Sequence, residues 1–439
     1  MKNRLHIGYL VMVTLITLFF FSTAHATEIP TENNENPNKT LQLTMEEKIA
    51  DFEYMYDIFK DNFPLFAVKK RAYHIDWLGK KDEYKNRIRN TKNDAEFQQT
   101  MSGILVELEN KHTCILGPEG YTQNCVIFNR LGDYAQPWLN VLHKPEVTSR
   151  YKVWSDKTIN KISGDNGSIV MNKSCFKTDI LEQNKIAYIR FFTFNSLNNN
   201  YENDRIPIAA FLKQIKNYSV LIIDVRGNGG GALQYWQQNI VAPLTSTELR
   251  AEYYGFLRGG RYLEPFIDAG EVKLHNIDEL SQSTLEYFPP EVTSDFKYFC
   301  KNVISVLPQN VIGFTGKIYL LVDRQSYSAA DTFASFAKST KFATVVGERT
   351  GGDGIGAPID MPIIALPNSG YIVRFPVGLG LNPDGSSNEE KCTQPDIIIP
   401  SHIGDTYEND IAIQELLKII KAQHFDIIAL AKESKRKAC

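Results

Sequence analysis

The chain is short of most signatures that disclose a function at once. It has no long basic stripe, and its 48 Lys and Arg against 51 Asp and Glu leave a formal charge of −3. The electrostatic footprint of a nucleic-acid binder is therefore missing, and no nucleic-acid partner is expected. There is no Cys-x-x-Cys pair and no His-Glu-x-x-His, so a zinc site has no support and neither a metal nor a cofactor is expected. Gly-x-Ser-x-Gly occurs nowhere, which removes the signature of an α/β-hydrolase esterase. No fixed-period repeat suggests a solenoid or propeller. What the chain does have is 439 residues, 43% hydrophobic and 23% charged, the composition of a globular protein with room for two or three domains.

The N-terminus carries an address. Lys2, Arg4 and His6 precede an apolar run from Ile7 to Phe21, and Ala24-His25-Ala26 supplies small residues at the positions a signal peptidase reads. This predicts a signal peptide over 1–26 and export to a periplasmic or extracellular space. The run is shorter than the roughly 20 residues a stable transmembrane helix needs, and no later segment is apolar enough to span, so no membrane span is expected after cleavage. Losing Lys2 and Arg4 takes the formal charge from −3 to −5. All six cysteines (Cys114, Cys125, Cys175, Cys300, Cys392, Cys439) lie beyond the cleavage site, which predicts structural disulfides whose pairing the sequence leaves open. Asn38-Lys39-Thr40 and Asn217-Tyr218-Ser219 fit the glycosylation sequon.

Residues 27–42, rich in Asn, Thr, Glu and Pro, read as a flexible leader. Over 43–112 a helical region is expected: Thr44 and Glu47 form a capping box, and Ile49, Phe52, Phe59 and Phe63 recur at helical spacing. A second helix follows Asp94, with Phe97, Met101, Ile104, Leu105 and Leu108 on one face. Continuing that count puts His112 on the same face, pointing inward. Short β-like runs such as 125–128 and 151–154 predict a small β-rich connecting region over 113–183. From residue 184 to 439 strands and helices alternate, which predicts an α/β core. Its strands include KIAYIRFFTF, VLIIDV and KIYLLV, a hairpin turns around Pro367-Asn368-Ser369-Gly370, and a helix containing Leu416, Ile419 and Ile420 closes the chain.

Two strand ends carry candidate chemistry. Asp224-Val225-Arg226-Gly227-Asn228-Gly229-Gly230-Gly231 lies between a buried strand and a helix, where glycines let backbone N–H groups turn toward an anion or a developing oxyanion. The same stretch loosely fits a dinucleotide fingerprint, with Glu248 at the expected distance, and also fits a plain tight turn. Asp323-Arg324-Gln325-Ser326-Tyr327-Ser328-Ala329-Ala330-Asp331 joins strand KIYLLV to a helix. A serine at such a turn holds its Oγ out at the sheet edge, with the following N–H and the helix dipole facing a bound carbonyl oxygen, and the position is equally that of a helix N-cap. Asp331, in the first helical turn, is placed to offset the dipole and could also meet substrate.

Taken in order, strand-DVRGNGGG, VDRQSYSAAD, VVGERTGG and QPDIIIP resemble the tail-specific, or C-terminal processing, serine protease family. The resemblance spans residues 184–400 and implies a fold related to the crotonase and Clp protease core. It implies Ser328 as nucleophile, with the N–H of Ala329 and of Gly229 or Gly230 as oxyanion donors. Members with a Ser-Lys dyad carry the lysine between two glycines 25 residues after the serine. Here that register holds Gly352-Asp353-Gly354, so a lysine base is absent. Lys338 and Lys341 read as solvated charges. Leu108-Glu109-Asn110-Lys111-His112-Thr113 is similar to the pattern of the tricorn-like branch, in which a histidine serves as base. That branch also implies a glutamate seven residues before the aspartate of Pro395-Asp396, which gives Glu389, with Glu390 as its register neighbour. The expected set is Ser328 attacking, His112 taking its proton, and Glu389 acting on the imidazole directly or through another polar side chain. Many relatives carry a PDZ domain, yet 113–183 shows no clear carboxylate-binding glycine loop. Two functions follow: an exported serine endopeptidase acting on protein or peptide substrates, or an inactive ligand- or peptide-binding protein on the same fold.

Overall fold

The computed structural model describes residues 42–162, 174–195 and 202–422. The expected signal peptide, nearly all of the leader, the Asn38 sequon and Cys439 lie outside them. The chain enters α1 (Met45–Asn62) through the predicted capping box: Glu47 N–H donates to Thr44 Oγ1 (3.2 Å), and Thr44 N–H to the Glu47 carboxylate (2.8 Å). Three more helices follow, α2 (Phe66–Tyr73), α3 (Lys81–Arg89) and α4 (Asp94–Val106).

The short strand β1 (Cys114–Ile115) then leads into α5 (Pro118–Phe128), α6 (Gln136–Leu142) and α7 (Pro145–Ile162). The β-rich region expected over 113–183 is thus corrected, since most of its described part is helical. The apolar runs at 125–128 and 151–154 are single turns of α5 and α7, and a four-residue apolar run has no period to tell strand from helix. Proline in the first turn of α5 and α6 was the usable start signal.

The core strands are β2 (Phe176–Glu182), β3 (Ile186–Phe191) and β4 (Val220–Asp224), with α8 (Glu202–Gln214) between the last two. Next come β5 (Leu249–Leu257), β6 (His275–Asn276), β7 (Tyr298–Val306), β8 (Lys317–Val322) and β9 (Thr344–Gly347). The series ends with β10 (Ile363–Ala365), β11 (Ile372–Arg374), β12 (Leu379–Leu381) and β13 (Ile397–Ile398). The main sheet runs β13-β9-β8-β4-β3-β2, parallel except for the β2–β3 hairpin. VLIIDV and KIYLLV are near-continuous apolar runs because both their faces are covered, by the Ala329–Ser339 helix on one side and the 411–422 helix on the other. Two smaller antiparallel sheets, β12-β5-β7-β6 and β1-β11-β10, stand beside it.

Leu41–Cys439 forms one compact unit. The aromatic faces of α1 to α4 do not close a core of their own. Phe52, Phe59, Trp77 and Phe97 share one with Phe256, Phe299, Ile363 and Phe375 from the small sheets and their flanks, and the Phe59 and Phe375 rings lie 5.0 Å apart. That shared core brings the α4–β1 loop against the main sheet. None of the five described cysteines is bridged, which corrects the expected disulfides for those positions. No helix among the described residues is long and apolar enough to cross a membrane.

Candidate active site

Ser328 sits where β8 passes into the Ala329–Ser339 helix. Its backbone has φ 57° and ψ −123°, a region that L side chains avoid at a cost of about 1–3 kcal/mol. Surrounding bonds hold it there. Asp323 Oδ1 accepts from the N–H groups of Gly227, Gln325 and Ser326. Ser326 Oγ donates to Val225 O (2.8 Å), and Ser328 N–H donates to Gly352 O (3.1 Å). Gly230 lies directly against the serine, so that a Cβ there would fall 2.8 Å from Ser328 Cβ, and its φ of 101° suits glycine alone.

His112 does not continue α4. The helix stops at Val106, Glu109 turns left-handed (φ 49°), and Asn110 organises the loop, its Oδ1 accepting from His112 N–H (3.1 Å) and Thr113 Oγ1 (2.9 Å). Such local side-chain bonds compete with the helix and end it. Arg374 Nε fixes the far side of the loop by donating to His112 O (3.2 Å). The imidazole still arrives at the serine, with Nε2 3.1 Å from Ser328 Oγ.

The carboxylate on the other ring nitrogen is Asp353, whose Oδ2 lies 2.8 Å from His112 Nδ1. Glu389 does not occupy that place, which corrects its direct contact with the imidazole. The same Asp353 oxygen accepts from Asn110 Nδ2 (2.6 Å) and from the Tyr327 hydroxyl. Burial acts to raise the Asp353 carboxyl, but the His112 ring and the bonds from His112, Tyr327 and Asn110 outweigh it and hold the group below its ordinary value. Burial and the Asp353 charge push the Tyr327 phenol far up, so it is a neutral donor.

Glu389 stands one layer back, in a buried ion pair with Lys69 Nζ (2.5 Å). Burial, followed by the Asp353 charge, pushes its carboxyl up to about 7 against the opposing pull of Lys69 and Asn110. Glu390 points elsewhere, pairing with Arg71 (2.7 Å). Asp331 is wholly buried and binds Thr350 Oγ1, Asn388 Nδ2 (3.0 Å) and Gly354 N–H (3.3 Å), so it ties down the 350–354 segment and does not face substrate. That segment crosses the helix start closely, since a Cβ on Gly354 would fall 2.3 Å from Ser328 O.

Of the three amides expected at the oxyanion position, the structure leaves two open. Ala329 N–H and Gly229 N–H have no acceptor among the described residues, and Gly229 faces open space. Gly230 N–H is committed to Asn228 Oδ1 (2.8 Å), which removes it from the expected donors. Asn228 in turn donates to Phe191 O (3.1 Å). Arg226 anchors the glycine loop from beneath, wholly buried between Asp224 and Asp410.

Sequence reasoning missed Asp353, Asn110, Tyr327 and Lys69. The available signal for Asp353 was an acid between two glycines at the register where a base had been sought, in a chain already offering a histidine in need of a carboxylate.

The arrangement has counterparts. The sequence model of peptidase family S41 matches residues 185–399. Among solved structures, one from Parabacteroides merdae ATCC 43184 is 20% identical, with 85% of this chain and 96% of that one covered at a TM-score of 0.53. Mature CPAF complexed with lactacystin is 13% identical, with 88% and 99% covered at a TM-score of 0.54. No curated protein sequence matches the chain. At these identities the structural likeness is one of fold, and the family rests on the sequence match. Through residues 185–399 the chain belongs to peptidase family S41, the tail-specific serine proteases.

Proposed function

We propose that this serine protease cleaves peptide bonds through an acyl-enzyme on Ser328, with His112 as general base and Asp353 as the carboxylate that orients it. The observation that carries this reading is the continuous chain of contacts from Ser328 Oγ to His112 Nε2 (3.1 Å) and from His112 Nδ1 to Asp353 Oδ2 (2.8 Å). Asp353 accepts from Nδ1–H, so the ring presents an unprotonated Nε2 to the serine. As Oγ attacks the scissile carbonyl, its proton passes to Nε2, and the imidazolium is stabilised by the ionised Asp353. The oxyanion receives the Ala329 N–H at the helix N-terminus, aided by its dipole, and the Gly229 N–H. The imidazolium then protonates the leaving amine, and a water, deprotonated by His112, hydrolyses the ester.

Export with cleavage after Ala26 belongs to the same reading, supported by the basic and apolar N-terminal pattern. N-terminal sequencing of the secreted chain tests it, since export as proposed gives a chain starting at Thr27. Kinship with the crotonase and Clp protease core also belongs here, supported by the parallel sheet with the serine at a strand-to-helix turn. The activity is tested by treating the mature chain with a fluorophosphonate and locating the adduct by mass spectrometry. Adduct on Ser328, lost in His112→Ala, is expected. A folded chain that takes no label there sinks the reading and leaves a binding protein on a protease fold.

A further inference from the structure

Lysine is seldom buried unless paired, yet Lys69 on α2 is 2% exposed. Its ammonium meets the Glu389 carboxylate at 2.5 Å and donates to Glu109 O at 3.0 Å. Glu109 belongs to the loop that carries His112, and Glu389 to the one-turn helix Asn388–Lys391. Glu109 adjoins Asn110, which bonds both Asp353 and the His112 backbone, and Glu389 faces Asp353 from behind. The rest of α2 acts on the same place: the Tyr73 hydroxyl donates to Glu389 O (2.9 Å), and Arg71 holds Glu390. Two largely covered carboxylates, Asp353 and Glu389, thus act on each other's charge, with one ammonium paired to the second.

We propose that Lys69 is a positioning residue of the catalytic site, acting through Glu389 and the Glu109–Asn110 turn to hold Asp353 on His112. The proposal rests on the function given above. Without the ammonium, the buried Glu389 charge has no counter-ion. Glu389 then either stays ionised, repelling Asp353 and competing with it for the Asn110 N–H donor, or takes up a proton and can donate to the Asn110 oxygen that shapes the His112 loop, and either course loosens the carboxylate that orients the base. The other ionisable groups facing this cluster are Tyr327 and Lys111, the latter over the Tyr327 ring, and Arg349 and Cys392 beside Tyr73. All remain in the variants below.

The test is the rate of fluorophosphonate labelling at Ser328 as a function of pH in the full mature chain. It compares wild type, Lys69→Met, Lys69→Arg, Glu389→Gln and the double variant Lys69→Met/Glu389→Gln, each checked for folding by circular dichroism. The expected result for Lys69→Met is labelling about 10- to 100-fold slower, the scale found when a residue supporting a site is removed. Lys69→Arg recovers most of the rate. The double variant, which leaves no buried charge unpaired, labels within a few-fold of wild type at pH 8. Wild-type labelling by Lys69→Met, no recovery in Lys69→Arg, or a slowdown that the double variant does not relieve overturns the proposal. Wild type that takes no label overturns the underlying function as well, and so is told apart from failure of Lys69 alone.

Discussion

Asp353 Oδ2 lies 2.8 Å from His112 Nδ1, on the ring nitrogen opposite the one that meets Ser328. The position where the resemblance implies a lysine in dyad members holds instead a carboxylate that meets the imidazole. Gly352 and Gly354 flank it, and a Cβ on Gly354 would fall 2.3 Å from Ser328 O, so the turn that carries Asp353 lies tight against the serine.

Asp353→Asn keeps the shape of the site and removes the charge. Turnover of a peptide or ester substrate is expected to fall about 10⁴-fold, because the amide favours the wrong imidazole tautomer. Glu389→Gln is expected to cost no more than about 10-fold, as it touches neither ring nitrogen. Equal losses in the two variants would return Glu389 to the triad.

Ser328→Ala and His112→Ala each remove a member of a unit whose parts fail together. Each is expected to lower kcat by about 10⁴- to 10⁶-fold, with the double variant little worse than either single. Additive losses, measured as a double-mutant cycle in kcat/KM, would mean the two side chains do not act as one device.

The adjacent glycines part company under substitution. Gly230→Ala places a methyl 2.8 Å from Ser328 Cβ at a φ of 101°, and is expected to lose at least about 100-fold in labelling rate along with thermal stability. Gly229→Ala meets no protein atom within 4 Å, so thermal stability stays close to wild type and labelling falls less than in Gly230→Ala. The same assay reports both.

The acidity of Glu389 leaves a mark on stability. Its carboxyl titrates near its ordinary 4.5 in the unfolded chain and at about 7 in the fold, so between those values the folded state holds a proton that the unfolded state has released. Stability of the wild type therefore falls, relative to Glu389→Gln, as pH rises from about 4.5 to about 7, and the gap levels off above. Thermal melts of both chains across that window check the sign.

Arg226→Met strands Asp224 and Asp410 as buried charges under the glycine loop. The expected loss is about 3–5 kcal/mol in urea unfolding, and Arg226→Lys is expected to recover little of it, because one ammonium cannot reproduce a guanidinium that bonds both carboxylates.

The main sheet was legible because VLIIDV and KIYLLV are apolar on both faces, a pattern that few structures other than a covered parallel strand accommodate. The serine was legible from its strand-to-helix setting and motif order. His112 was found by motif while its helical placement failed, because Asn110 ends the helix through side-chain bonds that periodicity does not register. The carboxylate was misassigned for a different reason. Asp353 and Glu389 both lie in polar stretches of sequence, the second folding into the one-turn helix Asn388–Lys391, and the Asp331 bonds to Thr350, Gly354 and Asn388 that fix both stretches are contacts between distant segments with no local pattern. Helices α5 and α7 were missed because their apolar turns are too short to show a period.

The shared core of α1 to α4 with the small sheets also governs when the serine becomes reactive. Ser328 belongs to the late half of the chain and His112 to the early half, and they meet only after that common core has closed. A chain still being made carries an unarmed serine. Proteolytic competence is therefore a property of the finished molecule, and a half-folded copy is no hazard to its own neighbours.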